Sequence, residues 1–332
     1  MILTIAVLVI SAVLIYISCE YFVNGIEWVG RRFNLSQSVV GTILAAFGTA
    51  LPECIVTFVA VVFGANVNQK DIGVGAALGG PLVLSTVAYA VVGWGIYLFR
   101  RKRAAGSHLD IDGKKLSYDQ LWFLSIFVFK MALGFVAFTG KTWTGLLFLA
   151  AYGIYVYQEM FRANDDSEYM ELEPLKLRPR QETPETSYIL IQTVGALAFI
   201  FLGSHLFVTR LELLSLNLGV PAHIVALLLS PIATELPEIL NAVIWIRQGK
   251  ERLALANISG AMMIQATVPS ALGILFTPWL FDRSLALAGI VTIVSILFLW
   301  NTLRHNKLSV KRLSFAGVFY LVFALIFSIM GR

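Results

Sequence analysis

The sequence predicts an all-α integral membrane protein with ten transmembrane helices in two inverted five-helix repeats. Three observations predict it: an apolar composition, ten runs long enough to span a bilayer, and a motif that recurs at one offset between the halves. Of the 332 residues, 58% are hydrophobic and only 14% charged, and the mean hydropathy is +0.79. That balance lies far from the usual one for soluble domains.

A spanning helix needs about 20 mostly apolar residues. Such runs lie near 2–23, 38–63, 72–99, 119–138, 142–161, 187–208, 221–246, 253–276, 284–303 and 312–330. They lack the alternation of barrel strands, which leaves the helix as the way to satisfy the backbone in lipid. The first run has no basic residues before it, outlasts a signal-peptide core and has a poor lipobox ahead of Cys19, so it reads as a retained helix. Cys19 and Cys54 fall in different runs without metal spacing and read as packing residues.

The basic residues fix the expected topology. They cluster after the first, third, fifth, seventh and ninth runs, as in Arg31, Arg32, the RRKR at 100–103, Lys114, Lys115, Arg247 and Lys250. The opposite side holds Lys70, Lys141, Arg210, Arg283 and Arg332. By the positive-inside rule the first side is cytoplasmic and both termini face out, in a multi-pass protein of the cell (inner) membrane. Topology thus accounts for the net charge of +5 without a nucleic-acid surface. The expected partners are the lipid bilayer and small inorganic cations, with no resident cofactor.

Across residues 21–64 the repeat is visible without alignment gaps. The offset that carries Glu53 onto Glu238 also carries YFV at 21–23 onto LFV at 206–208, Glu27 onto Glu212, Thr49 onto Thr234, LPE at 51–53 onto LPE at 236–238, and Gly64 onto Gly249. A slightly shorter offset then brings Gly79 to Gly260 and Thr86 to Thr267. Five helices per unit is an odd number, so the second copy enters from the opposite side. The expected boundaries are a first repeat at 1–161, a flexible, polar cytoplasmic linker at 162–186, and a second repeat at 187–332.

The chemistry concentrates in FGTALPE at 47–53 and its repeat partner. A charge at the bilayer centre costs about 3 kcal/mol on insertion scales, so it usually faces protein or a wet cavity. Glu53 and Glu238 sit at that depth, each directly after a proline. A helical proline cannot donate to the carbonyl four residues back, which frees Gly48 and Ala233. Thr49 and Thr234 precede the carboxylates by one turn and share their face. Carbonyl, hydroxyl and carboxylate form a hard oxygen set, suited to calcium, sodium or magnesium.

The second copy adds Glu235 and Ser230, and the next helix adds Asn257 and Gln265. For the two amides, ion ligation and interhelical hydrogen bonding are both open; for the threonines, bonding back to the preceding turn is the alternative. One proline–glutamate pair alone reads as a kinked helix with a bonded acid. Its recurrence in opposed repeats points to a midplane cation site between two broken helices. Lys130, inside FVFKMALG, either pairs with a carboxylate, replaces a cation or marks a cavity-lining helix. The four histidines form no nucleophile–base or metal-hydrolase set, so an enzyme is not expected.

At these residues the sequence resembles the cation/calcium antiporter superfamily, which includes the sodium/calcium exchangers. The matching motifs are GTALPE at 48–53, ATELPE at 233–238, GAALGGP at 75–81 and ANISGAM at 256–262. The resemblance implies ten helices, with Glu53 and Glu238 as the central calcium-binding carboxylates, Thr49 and Thr234 as sodium-coordinating threonines, and Ala46 as a backbone-carbonyl ligand. It also implies alternating access, with helices 1 and 6 sliding across helices 2, 3, 7 and 8.

There are departures. The family serine is Ala50 in one copy and Glu235 in the other, while Gly80, Pro81 and Leu84 replace polar ligand positions. Ala261 replaces a serine, and Gln265 stands where an acidic or amide residue is common. The expectation is a secondary antiporter exchanging calcium, or a related cation, for sodium or protons, with Glu235 or a partner carrying a proton in place of one sodium ion. The alternative is a non-transporting cation-binding sensor or scaffold of the same fold.

Overall fold

The computed structural model describes residues 1–32, 45–101, 113–162, 173–305 and 308–330, and for 45–49 and 159–162 it describes the backbone alone. Ten helices follow in chain order among them. They are α1 (Ile2–Arg32), α2 (Ala45–Val62), α3 (Val67–Phe99), α4 (Gly113–Leu133) and α5 (Gly145–Arg162) in the first half. The second half holds α6 (Thr186–Leu218), α7 (Ala222–Arg247), α8 (Glu251–Phe276), α9 (Arg283–Arg304) and α10 (Val310–Met330).

Seven of these are long and apolar enough to cross a membrane by length and composition. α4 is not among them, because Lys114, Lys115, Asp119, Gln120 and Lys130 dilute its apolar content. It is held by burial instead: Phe123 and Phe127 are enclosed in the main core.

α1 and α6 run well past the apolar stretches that mark them, at 31 and 33 residues. At 1.5 Å per residue each is over 45 Å long, more than the roughly 30 Å hydrocarbon core, so both must tilt or project. They pack along each other as one pair, with Ile15 and Cys19 of α1 and Ile200, Phe207 and Leu211 of α6 in a single apolar cluster. Their other faces carry exposed Ile, Leu and Val, as lipid contact demands.

The packing respects the repeat. α2 lies on α8 as α7 lies on α3; α5 lies on α8 as α10 lies on α3; α4 packs on α9. The four inner helices approach closely where glycine replaces a side chain. A Cβ at Gly79 would stand 2.5 Å from the Leu227 carbonyl, and one at Gly75 would overlap the His223 carbonyl. Small residues here let α3 and α7 pack backbone to backbone.

Two expectations are corrected. The first concerns the broken helices: of the two proline–glutamate helices, α7 alone is interrupted among the described residues, at Glu235 (φ −98, ψ −12), between Ala222–Thr234 and Leu236–Arg247. α2 continues through Pro52; one lost hydrogen bond is a local defect that packing on both sides can bridge. α3 instead carries a π-helical turn at Leu84–Ala88. There the Ser85 carbonyl is taken by Ser295 Oγ of α9 at 2.7 Å, and Thr86 Oγ1 bonds the Leu82 carbonyl.

The second concerns the linker, whose described part is docked rather than loose. Leu175 is buried with Trp28 and Ile189. Trp28 Nε1 donates to the Glu173 carbonyl at 3.0 Å, the Lys176 amide to Asn24 Oδ1 at 3.0 Å, and the Leu177 amide to Gln192 Oε1 at 2.8 Å. Residues 173–177 therefore tie α1 to α6 at one end of the pair. Residues 163–172 lie outside the described chain.

Candidate cation site

Glu53, Glu235 and Glu238 are all fully buried. The break in α7 is what places two of them together: it leaves Glu235 at the junction, while Pro237 and Glu238 open the second helical segment. Because Pro237 has no N–H, it cannot return a bond to Ala233. The interruption thus leaves carboxyl and carbonyl oxygens at one level of the bundle.

Thr234 joins the two repeats. Its Oγ1 lies 2.8 Å from Glu53 Oε2, 2.8 Å from Glu235 Oε1 and 3.2 Å from the Ser230 carbonyl. A hydroxyl has one hydrogen to give, so it cannot donate to both carboxylates. The second contact needs a proton on a carboxyl or a cation shared by the oxygens. Bonding to the preceding turn, the simpler expectation for this threonine, is present but is the longest of the three contacts.

Gln265 Nε2 donates to Glu235 Oε2 at 2.7 Å, so both oxygens of Glu235 have partners. The other carboxyls do not. Among the described residues, Glu53 Oε1, both oxygens of Glu238, Gln265 Oε1 and Ser230 Oγ are buried without a hydrogen-bond partner. Such atoms are rare in folded proteins and mark a missing ligand or strain. Here they are oxygens of the kind that hard cations take.

Gly80 explains how Glu235 and Gln265 fit. A Cβ there would stand 2.8 Å from Gln265 Oε1 and 3.0 Å from Glu235 Oε1. The position that lacks a polar side chain is therefore filled by two polar groups from the other repeat.

The remaining expected residues are placed less closely. Asn257 is half-buried on α8, two turns before Gln265. Ala46, Gly48 and Thr49 lie on the α2 backbone, but their side chains are outside the described residues. Ala233 is half-buried beside Thr234.

The structure gives two further residues, Glu212 and Lys130, definite partners. Glu212 accepts 2.7 Å bonds from both Asn66 Nδ2 and Gln69 Nε2, latching α6 to the start of α3. Its correspondence with Glu27 across the repeat was the available signal. Lys130 is fully buried, with Nζ 3.0 Å from the Ala77 carbonyl and 4.5 Å from the Phe127 ring centroid.

A family model described as sodium/calcium exchanger protein matches residues 3–161 and 188–330. The inner membrane protein YrbG of Escherichia coli K12 is 23% identical over 312 residues, covering 91% of this chain and 90% of its own. Among solved structures, the H+/Ca2+ exchanger CAX superposes with a TM-score of 0.76 at 15% identity, over 97% of this chain and 82% of the other. The sodium-calcium exchanger NCX_Mj superposes with a TM-score of 0.60 at 21% identity, over 97% of both chains. At these identities the superpositions show a shared fold.

Proposed function

The chain belongs to the sodium/calcium exchanger protein family, and from that premise we propose that it is a secondary active antiporter exchanging calcium, or a related divalent cation, for sodium or protons. The observation that carries this reading is the set of buried oxygens without partners on Glu53 and Glu238, from opposed repeats. Exchange, not an enzymatic reaction, is what such a site performs.

One cluster of fixed negative charge is neutralised either by the divalent ion or by its counter-ions, and buried carboxylates are stable only when neutralised. Mutual exclusion makes each load depart before the other binds. Glu53 and Glu238 hold the divalent ion, with Ser230, Gln265 Oε1 and the Ala233 and Gly48 carbonyls completing the oxygen shell. Thr49 and Thr234 serve the monovalent ions, and Glu235 accepts the proton where protons are the counter-ion.

Alternating access comes from the α1–α6 pair moving across α2, α3, α7 and α8. The strap at residues 173–177 ties α1 to α6 within the pair, and the Glu212 latch joins the pair to the start of α3. The protein resides in the cell (inner) membrane with both termini outside, and the 162–186 segment, between the repeats at 1–161 and 187–332, is cytoplasmic.

The deciding experiment is calcium uptake by purified protein in liposomes under separately imposed sodium and proton gradients. Uptake driven by at least one gradient is expected. Calcium binding with no movement across the bilayer under either gradient establishes the sensor or scaffold alternative instead.

A further inference from the structure

Lys130 Nζ meets a carbonyl and an aromatic ring rather than a carboxylate. It is fully enclosed on α4, and the ion pairs Lys176–Glu20 and His223–Asp282 do not involve it. Burying an unpaired charge in a membrane bundle is costly, so something must hold it there.

What holds it is a carbonyl freed by proline. Pro81 lies inside α3 and has no N–H, so the Ala77 carbonyl, four residues back, loses its helical donor. Lys130 Nζ occupies that acceptor at 3.0 Å and rests on the face of Phe127. The Trp279 indole N–H, donating to the Lys130 carbonyl at 3.3 Å, fixes the α4 backbone behind it. A proline-freed carbonyl on an inner helix is a cation ligand, and here the cation is covalently attached. The Ala77 carbonyl lies on α3 about one turn before Gly80, the position against which Glu235 and Gln265 pack.

Charge counting gives this a consequence. Three buried carboxylates need three positive charges, which one divalent ion cannot supply. With Lys130 included, the fixed charge is minus two, which either one divalent ion or two monovalent ions neutralise completely. Both loads then leave the cluster equally neutral, which a low-dielectric interior strongly favours.

We propose that Lys130 is a tethered cation that takes one monovalent ion's share of the midplane site and so sets the exchange at two monovalent ions, not three, per divalent ion. It rests on the exchange reading given above and specifies its coupling. Lys130 acts as a specificity-determining residue: it compensates on the α3 side for the polar positions occupied by Gly80, Pro81 and Leu84.

The test uses purified full-length protein in liposomes, with calcium as the probe, a sodium or proton gradient as the drive, and the membrane potential clamped by potassium and valinomycin. The wild type is expected to build a calcium gradient equal to the square of the monovalent gradient, unaffected by the clamped potential. In Lys130→Met the gradient is expected to approach the cube and to respond to potential, and Lys130→Arg restores the square. A wild type that already follows the cube, or Lys130→Met that keeps the square, overturns the proposal. If Lys130→Met does not fold, the wild-type exponent decides alone. Absence of any gradient-driven calcium movement in the wild type overturns the exchange reading itself.

Discussion

Thr234 Oγ1 lies 2.8 Å from Glu53 Oε2, linking corresponding helices of the two opposed repeats through one hydrogen bond. Removing that hydroxyl leaves a buried carboxyl oxygen without its donor, a loss of about 1.5–3 kcal/mol for a bond to a charged group. Thr234→Val is expected to raise the half-saturating calcium concentration by roughly 10- to 100-fold, whereas Thr234→Ser keeps it within a few-fold. Initial uptake rates across a calcium series check this; equal behaviour of the two variants removes Thr234 from the site.

Glu53→Gln and Glu238→Gln are each expected to abolish calcium flux in proteoliposomes. Neither is expected to unfold the protein. Both oxygens of Glu238 lack partners among the described residues, and a neutral amide is cheaper to bury than an unpaired carboxylate. Thermal unfolding in detergent without divalent ions should therefore show Glu238→Gln at least as stable as the wild type. Wild-type-like flux in either variant removes the central claim.

Glu235 holds the position where the resemblance predicts a serine, and its oxygens are already engaged by Thr234 and Gln265. Protons and calcium compete for the same carboxyls, so acidifying the calcium side is expected to slow wild-type uptake. Glu235→Gln should flatten that dependence. A wild-type rate that does not vary with pH, together with unchanged ion dependence in Glu235→Gln, sinks the proton role.

The α3–α7 contact gives a prediction about folding. A Cβ at Gly75 meets His223 backbone atoms, which cannot rotate away, while one at Gly153 meets nothing within 4 Å. Gly75→Ala is expected to cost about 1–3 kcal/mol through overpacking and to lower the melting temperature in detergent. Gly153→Ala serves as the control and should stay at the wild-type value.

Much of this architecture was legible in the chain. Hydropathy marked the spans, yet α1 and α6 outrun their apolar stretches and α4 begins at Gly113 rather than near 119, where burial of Phe123 and Phe127 supports a helix that composition alone assigns partly to a loop. The site was legible through its prolines. Pro237 does coincide with an interruption, but Pro52 does not; the same residue gives different outcomes when the surrounding packing differs. Asn257 and Gln265 looked equivalent in sequence, and the structure brings Gln265 onto a site carboxyl.

By itself, the sequence determined the membrane class, the inverted repeat and the buried carboxylates Glu53 and Glu238, because these depend on composition, period and spacing within single helices. Tertiary structure decided which groups meet. The Thr234–Glu53 contact, the Gln265–Glu235 bond and the seat of Lys130 on the Ala77 carbonyl each join residues far apart in the chain. Such pairs are set by how two helix faces approach and which side chain fits between them. No local pattern encodes that approach: it comes from glycines such as Gly75, Gly79 and Gly80 meeting their particular neighbours on α7 and α8.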